Sequence, residues 1–218
     1  MKYLVKSPWW LKKLYPNYIW DIPVEEKILY LTFDDGPHET ATPFVLEQLR
    51  KYNARATFFC IGKNVVDNPV IYRQIIEEGH TVGNHTFHHV NGWKTANKKY
   101  TADVFEAAKY IDSNLFRPPY GRISRFQAKV LMQENRRQTM VTKGFKIIMW
   151  SVLSGDFDIS KKASECRDYV LLNTTPGAII VFHDSKKAWE RMQVALPEVL
   201  QHFSNEGFQF KSIPYTIS

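Results

Sequence analysis

Two cysteines in 218 residues, Cys60 and Cys166, are too few for a disulfide framework, and a reducing compartment fits such a chain. Cys60 lies in an apolar, strand-like run and reads as a buried thiol. No run of about 18 apolar residues occurs, which excludes a hydrophobic spanning helix. The first twenty residues carry Lys2 and Lys6, but Pro8, Lys12, Lys13 and Pro16 interrupt any apolar stretch, so no conventional signal peptide is legible. The expected location is therefore the cytoplasm or the periphery of the inner membrane. Low-complexity tracts, internal repeats and a recognisable nucleic-acid-binding motif are also missing.

What is present is a core-forming composition. An apolar fraction of 44% with 14% aromatics describes a globular chain of one large α/β domain or two small ones. The formal charge is 29 − 22 = +7. Much of it is local. Residues 117–146 hold Arg117, Arg122, Arg125, Lys129, Arg136, Arg137, Lys143 and Lys146 against the single acid Glu134. Residues 1–20 hold four lysines and no acid. Such patches are either solvated basic faces or suit an anionic partner: a phosphorylated substrate, an acidic glycan or a membrane surface. Trp9, Trp10, Leu11, Leu14, Tyr15, Ile19 and Trp20 make residues 1–24 an aromatic, basic segment. It is read as packing on or near the open end of a barrel, with peripheral membrane contact through residues 1–20 as the other option.

From residue 25 on, apolar runs alternate with helical spacings. Strands are expected at 28–33, 56–61, 81–84, 115–117, 145–153, 178–182 and 208–213. Helices are expected after Thr42 as N-cap, over 69–78, 102–113, after Ser124, over 163–173 and over 192–204, with Pro197 near the first turn of the last or kinking it. This alternation is the signature of a parallel α/β sheet or barrel; a single-domain distorted (β/α) barrel of about seven strands, covering 25–218, is expected. Polar clusters follow the strands at 34–38, 85–89, 117–121, 154–158 and 183–185. In α/β barrels that rim carries the active site.

The clusters hold usable chemistry. Asp34 and Asp35 end a core strand ahead of Gly36-Pro37; they either begin a polar turn or act separately, since strand neighbours point apart. His85 and His89 in His-Thr-Phe-His-His have the i, i+4 spacing of two ligands on one helical turn, leaving His88 as a spare. Two imidazoles and a carboxylate suit Zn²⁺ or a similar divalent ion with positions open to water. His183 is open to three roles: third ligand, acid for a leaving group, or buried structural histidine. Arg117 can hold a carboxylate bidentately or form a surface ion pair. Asp156 can orient a histidine or simply turn the chain.

Thr32-Phe-Asp-Asp-Gly-Pro37, His85-Thr-Phe-His-His89, Arg117-Pro-Pro-Tyr120 and Phe182-His-Asp184, in that order, resemble the successive motifs of the NodB-homology polysaccharide deacetylases (carbohydrate esterase family 4). The resemblance runs over residues 25 to 213. It implies a distorted barrel that hydrolyses N-acetyl groups of amino sugars, or O-acetyl groups in some members. It further implies Asp34 as base, Asp35, His85 and His89 as ligands of one divalent ion (zinc foremost; cobalt, nickel or manganese as alternatives), and Arg117 as the orienter of the base. Tyr120 would supply an oxyanion-holding backbone N–H, and His183 would be the acid. Of the family's Asp-x-x-Asp-Trp motif, Leu153-Ser-Gly-Asp156-Phe157 keeps only the second acid, which would orient His183; Leu153 and Phe157 change the groove wall. The implied substrate is an N-acetylated poly- or oligosaccharide, peptidoglycan- or chitin-like. A lipid-linked or phosphorylated amino sugar, or a catalytically silent carbohydrate-binding role, stand as alternatives, with a two-metal phosphoesterase as a more distant one.

Overall fold

The computed structural model describes residues 3–133 and 144–216. Arg136, Arg137, Lys143 and Glu134 of the basic stretch lie outside the described residues. The strands are β1 (Ile28–Asp34), β2 (Thr57–Cys60), β3 (Thr81–Asn84), β4 (Leu115–Phe116), β5 (Lys146–Ile147), β6 (Val152–Leu153), β7 (Ile179–His183) and β8 (Gln209–Phe210). The helices are α1 (Trp9–Leu14), α2 (Ala41–Lys51), α3 (Gly62–Asp67), α4 (Pro69–Glu77), α5 (Asn97–Ala107), α6 (Arg125–Met132), α7 (Ala163–Asn173) and α8 (Trp189–Asn205). Strand order is β5-β4-β3-β2-β1-β7-β6, with β8 beside the start of β1. All of these pairings are parallel, and the sheet curls into a half-barrel within a single domain.

The two faces of β1 explain where the site forms. Its residues are buried throughout, as expected of a strand covered on both sides. Leu29, Leu31 and Phe33 point outward into the main core, with Val45, Leu46 and Leu49 of α2 and Leu196, Val199 and Leu200 of α8. Ile28 and Tyr30 point the other way, into an interior cluster with Phe59, Leu115, Ile148, Ile179 and Ile213. Thr32 and Asp34 continue that inner row. The barrel interior is therefore apolar at the start of β1 and polar at its carboxyl end.

The N-terminal segment is woven into the sheet edges. Lys6 bridges Val152 antiparallel, Ile19 bridges Ile148 parallel, and Asp21 bridges Ala178. Residues 5–7 thus line β6 while Ile19 lines the end of β5.

Several elements differ from expectation. The apolar run 145–153 is two strands rather than one. Ile148 N–H still reaches Phe116 O at 2.8 Å, Met149 N–H goes to Ile19 O at 2.7 Å, and Ser151 N–H reaches Ile179 O at 3.0 Å, so the chain crosses from one sheet edge to the other. Thr42 lies inside α2 rather than capping it; its hydroxyl donates to Asp184 Oδ2 at 2.5 Å. Ser124 does cap α6, in a reciprocal pair with Gln127. The short α3 has too few apolar positions to show a helical period. Helices α5, from Asn97, and α8, from Trp189, both begin earlier than expected, and the early start of α8 puts Pro197 in its interior rather than its first turn.

Phe33, Phe58 and Phe182 stack across β2, β1 and β7, with ring centroids 5.1 and 6.3 Å apart. Phe58 is fully buried. Phe58→Ala is expected to lower stability by about 3–5 kcal/mol, read as a lower urea midpoint at unchanged slope. A loss under about 1 kcal/mol would show that this stack is not a central part of the core.

Candidate active site

Each predicted site residue sits at the carboxyl end of a strand or in the loop after it. Asp34 is the last residue of β1, in register with His183, the last residue of β7. Arg117 follows β4 directly. It is completely buried, a costly position for a guanidinium unless every donor is used. Its Nη1 donates to Asp34 Oδ1 at 2.7 Å and Thr32 Oγ1 at 2.7 Å, Nη2 to Met149 O at 2.9 Å and Nε to Ile148 O at 3.3 Å. Its guanidinium carbon lies 4.1 Å from the centre of the Phe59 ring. Arg117 therefore holds a carboxylate rather than forming a surface ion pair, but through Nη1 alone and not bidentately.

Asp35 leaves the strand with φ of 80°, so its side chain diverges from that of Asp34. Its Oδ1 lies 3.2 Å from His89 Nε2 and 3.7 Å from His85 Nε2, is buried, and makes no hydrogen bond. The ligand atoms of Asp35, His85 and His89 all lie within 4.8 Å of one another. His85 Nδ1 is 2.8 Å from the Arg117 carbonyl, to which it can only donate, so Nε2 carries the free lone pair. Burial pulls the His85 pKa down to about 4, against the raising effect of Asp34 and Asp35, which keeps the ring neutral. Burial acts to raise the Asp35 pKa, but His89, His183 and His85 together hold it well below the usual carboxylate range. A buried carboxylate oxygen without a hydrogen-bond partner, facing the His85 lone pair and His89 Nε2, fits a divalent cation.

The i, i+4 spacing of His85 and His89 predicts a helical turn, and the structure corrects this. Residues 85–89 are irregular, with Thr86 at φ 66° and His89 at φ 56°. Partners from elsewhere replace the helical ladder. Asn84 Oδ1 accepts from Thr86 N–H at 2.9 Å, and Gly62 and Lys63 at the start of α3 donate to Thr86 O and Phe87 O. Asp103 accepts from the N–H groups of Phe87 and His88, both at 2.9 Å. His88 points away and pairs with Asp103 at 2.6 Å.

On the other flank, Asp156 is fully buried and accepts twice from His183, from Nδ1 at 2.7 Å and from the backbone N–H at 2.8 Å. Burial lowers the His183 pKa, but Asp156 outweighs it with help from Asp35 and Asp34, and the value rises to about 9. Phe157 packs its ring 5.1 Å from that of His183 and 5.0 Å from Tyr3. Tyr120 takes φ 60°; its exposed ring lies 4.6 Å from that of His89.

Sequence reasoning missed Asp184. It is fully buried, accepts from Gly36 N–H at 3.0 Å and from the Thr42 hydroxyl, and donates its own N–H to Asp34 O at 3.1 Å. Burial pushes its pKa up to about 8. It builds the turn that carries Asp35: a Cβ at Gly36 would fall 2.0 Å from Asp184 Oδ2, so only glycine fits there. The acid directly after His183 was the available signal. Asn64, which donates to Asp35 O at 2.7 Å, and Arg191, which donates to Asp156 O at 2.6 Å, had none.

Comparison with known proteins places the chain in a family. The family profile described as polysaccharide deacetylase matches residues 21–138. A peptidoglycan-N-acetylglucosamine deacetylase of Bacillus cereus is 33% identical over 200 residues, 89% of this chain and 90% of that protein. A chitooligosaccharide deacetylase of Azorhizobium caulinodans is 35% identical over 170 residues, 75% of this chain and 76% of that protein. Among solved structures, a peptidoglycan N-acetylglucosamine deacetylase in complex with 4-naphthalen-1-yl-N-oxidanyl-benzamide superposes with a TM-score of 0.82 at 29% identity, covering 95% of each chain. The motifs resemble that family, the half-barrel matches its fold, and the profile and relatives agree: the chain belongs to the polysaccharide deacetylase family.

Proposed function

We propose that this chain is a metal-dependent hydrolase that removes N-acetyl groups from an amino sugar within a peptidoglycan- or chitin-like glycan, releasing acetate. The observation that carries the reading is the cluster of Asp35, His85 and His89 flanked by two carboxylate–cation pairs, Asp34 with Arg117 and Asp156 with His183. The names of the relatives support the glycan class.

Asp35, His85 Nε2 and His89 Nε2 would hold the ion, zinc foremost with cobalt, nickel or manganese as alternatives. When bound, such an ion polarises an acyl carbonyl and lowers the pKa of a water it contacts. The protein's own groups divide the remaining work. Asp34, oriented by Arg117, takes a proton from the attacking water. The new C–O bond pushes charge onto the acetyl oxygen, and the Tyr120 backbone N–H donates to it, a contribution typically worth about 3–4 kcal/mol. His183, protonated and held through Nδ1 by Asp156, gives its Nε2 proton to the departing nitrogen as the C–N bond breaks. Acetate and a free sugar amine result. Phe157 shields the His183 ring where the family motif has tryptophan.

Three outcomes test this. Asp34→Asn is expected to lower acetate release from N-acetylglucosamine oligomers by about 10²–10⁴-fold with Zn²⁺ or Co²⁺ added and the fold unchanged by circular dichroism; full activity in the variant would sink the assignment. His183 is the proton donor and its raised pKa keeps it protonated up to about 9. The rate should therefore fall as pH rises through that value, or somewhat lower because a bound cation adds positive charge nearby. His183→Gln should remove this alkaline limb; if the limb stays, the acid lies elsewhere. His85→Ala should bind zinc more weakly by at least about 100-fold in a chelator competition, whatever its activity. Unchanged affinity would place the ion at another site.

A further inference from the structure

Helix α1 is held on both sides yet buries none of its six residues. Before it, the Ser7 N–H donates to Ser151 O at 2.9 Å; after it, Ile19 N–H donates to Ile147 O at 2.9 Å. The exposure of α1 is therefore built into the fold and is not fraying of a chain end. Leu11 turns inward against the cluster of Trp20, Tyr100, Phe116 and Phe145. Trp9 is 69% exposed, Trp10 52% and Leu14 52%. Trp10 and Leu14, four residues apart, share one ridge. Trp9 lies on the neighbouring ridge, with the Lys13 ammonium 4.9 Å from its ring centre.

Leu14 also lines an open cavity of about 400 Å³, along with Tyr15, Tyr18, Arg125 and Lys129. The Tyr15 and Tyr18 rings stack at 5.2 Å to form its aromatic wall. Lys6, Lys13, Arg125 and Lys129 are all exposed. Residues 3–20 and α6 contain no acid, and the nearest one in the sequence, Asp21, is taken by Lys12.

We propose that the outer face of α1 and the adjoining cavity are a docking surface for an anionic lipid bilayer. Trp9, Trp10 and Leu14 enter the headgroup boundary, where indole rings are favoured. Arg125 and Lys129 at the cavity take lipid phosphates. Charge selects this occupant. Exposed indoles alone would stack equally well on a neutral sugar, but a neutral sugar offers no counter-charge to the exposed Lys13, Arg125 and Lys129. Apolar side chains interleaved with cations, with no acid among residues 3–20 and α6, match a bilayer interface carrying negative charge. This surface is independent of the deacetylation chemistry and is tested without it.

The test is sedimentation of the full chain with vesicles of phosphatidylcholine alone or of equal parts phosphatidylcholine and phosphatidylglycerol. Binding is expected to the mixed vesicles only, and to weaken as salt rises from about 0.1 to 1 M, since screening shortens the reach of the charges. Trp10→Ala with Leu14→Ala should weaken it at least about tenfold. Arg125→Ala with Lys129→Ala should weaken it on the order of 30-fold. Both variants should keep the parent's circular dichroism and thermal midpoint, since every substituted side chain is exposed. Equal binding to neutral vesicles, no binding to either, or unchanged binding by both variants overturns the proposal. So does retention by N-acetylglucosamine oligomers through Trp10 without vesicle binding, which would make the face a glycan platform.

Discussion

A completely buried arginine is the constraint on which the rest of the molecule depends. Arg117 sits inside the barrel above the apolar interior cluster, and four protein acceptors share its guanidinium: the Asp34 carboxylate, the Thr32 hydroxyl and the carbonyls of Ile148 and Met149. Breaking a buried pair of this kind costs about 3–5 kcal/mol, because the remaining charge has no solvent to turn to. The arginine thus ties the end of β1 to the link between β5 and β6, on opposite sides of the curled sheet. Its carbonyl does a second job by fixing the tautomer of His85. One residue therefore sets both the orientation of the proposed base and the lone pair of a proposed metal ligand.

The paired acids gain separate environments from the backbone between them. Asp34 ends the strand on its inner row, where Arg117 is the natural partner. Asp35 is turned aside by a left-handed φ that costs energy in any residue with a side chain, and this conformation persists because its surroundings over-determine it. Asp184 accepts from Gly36, Asn64 donates to the Asp35 carbonyl, and the absence of a Cβ at Gly36 lets Asp184 approach. The same logic governs the second flank. Asp156 grips His183 twice, and Arg191 grips the Asp156 carbonyl. A carboxylate bonded to Nδ1 stabilises the charged ring and leaves Nε2 facing the site. The two carboxylate–cation pairs differ in consequence: Arg117 orients the Asp34 carboxylate, whereas Asp156 raises the pKa of His183.

Much of this was legible because it is local. The strand–helix alternation, the helix cap at Ser124 and the polar clusters after strands are all patterns within a few residues of one another. What the sequence could not show depends on distant partners. His85 and His89 share a helical spacing, yet Asn84, Asp103 and the start of α3 hold their loop in another conformation; no window on 85–89 contains that information. The run 145–153 has the composition of one strand, and its division follows from where Phe116, Ile19 and Ile179 happen to lie. Thr42 has the residue type of a cap and instead hydrogen-bonds an acid 142 positions away. Asp184 was visible beside His183, but its role required knowing that Gly36 would lie against it.

The N-terminal segment shows how one stretch serves two faces. β5 and β6 are each two residues long and form the two edges of the sheet, where unpaired backbone groups would otherwise remain. Residues 5–7 pair beside β6, and Ile19 pairs beside Ile148 just past β5. Because both pairings are backbone contacts, they fix the path of the chain without using the side chains of the helix between them. α1 must then bridge from one edge to the other with Leu11 inward, and helical geometry turns Trp10 and Leu14 outward as a consequence. The exposed indoles are thus not a defect of packing that a better core would cure. The same two edge pairings flank the link that brings the Ile148 and Met149 carbonyls to the guanidinium of Arg117.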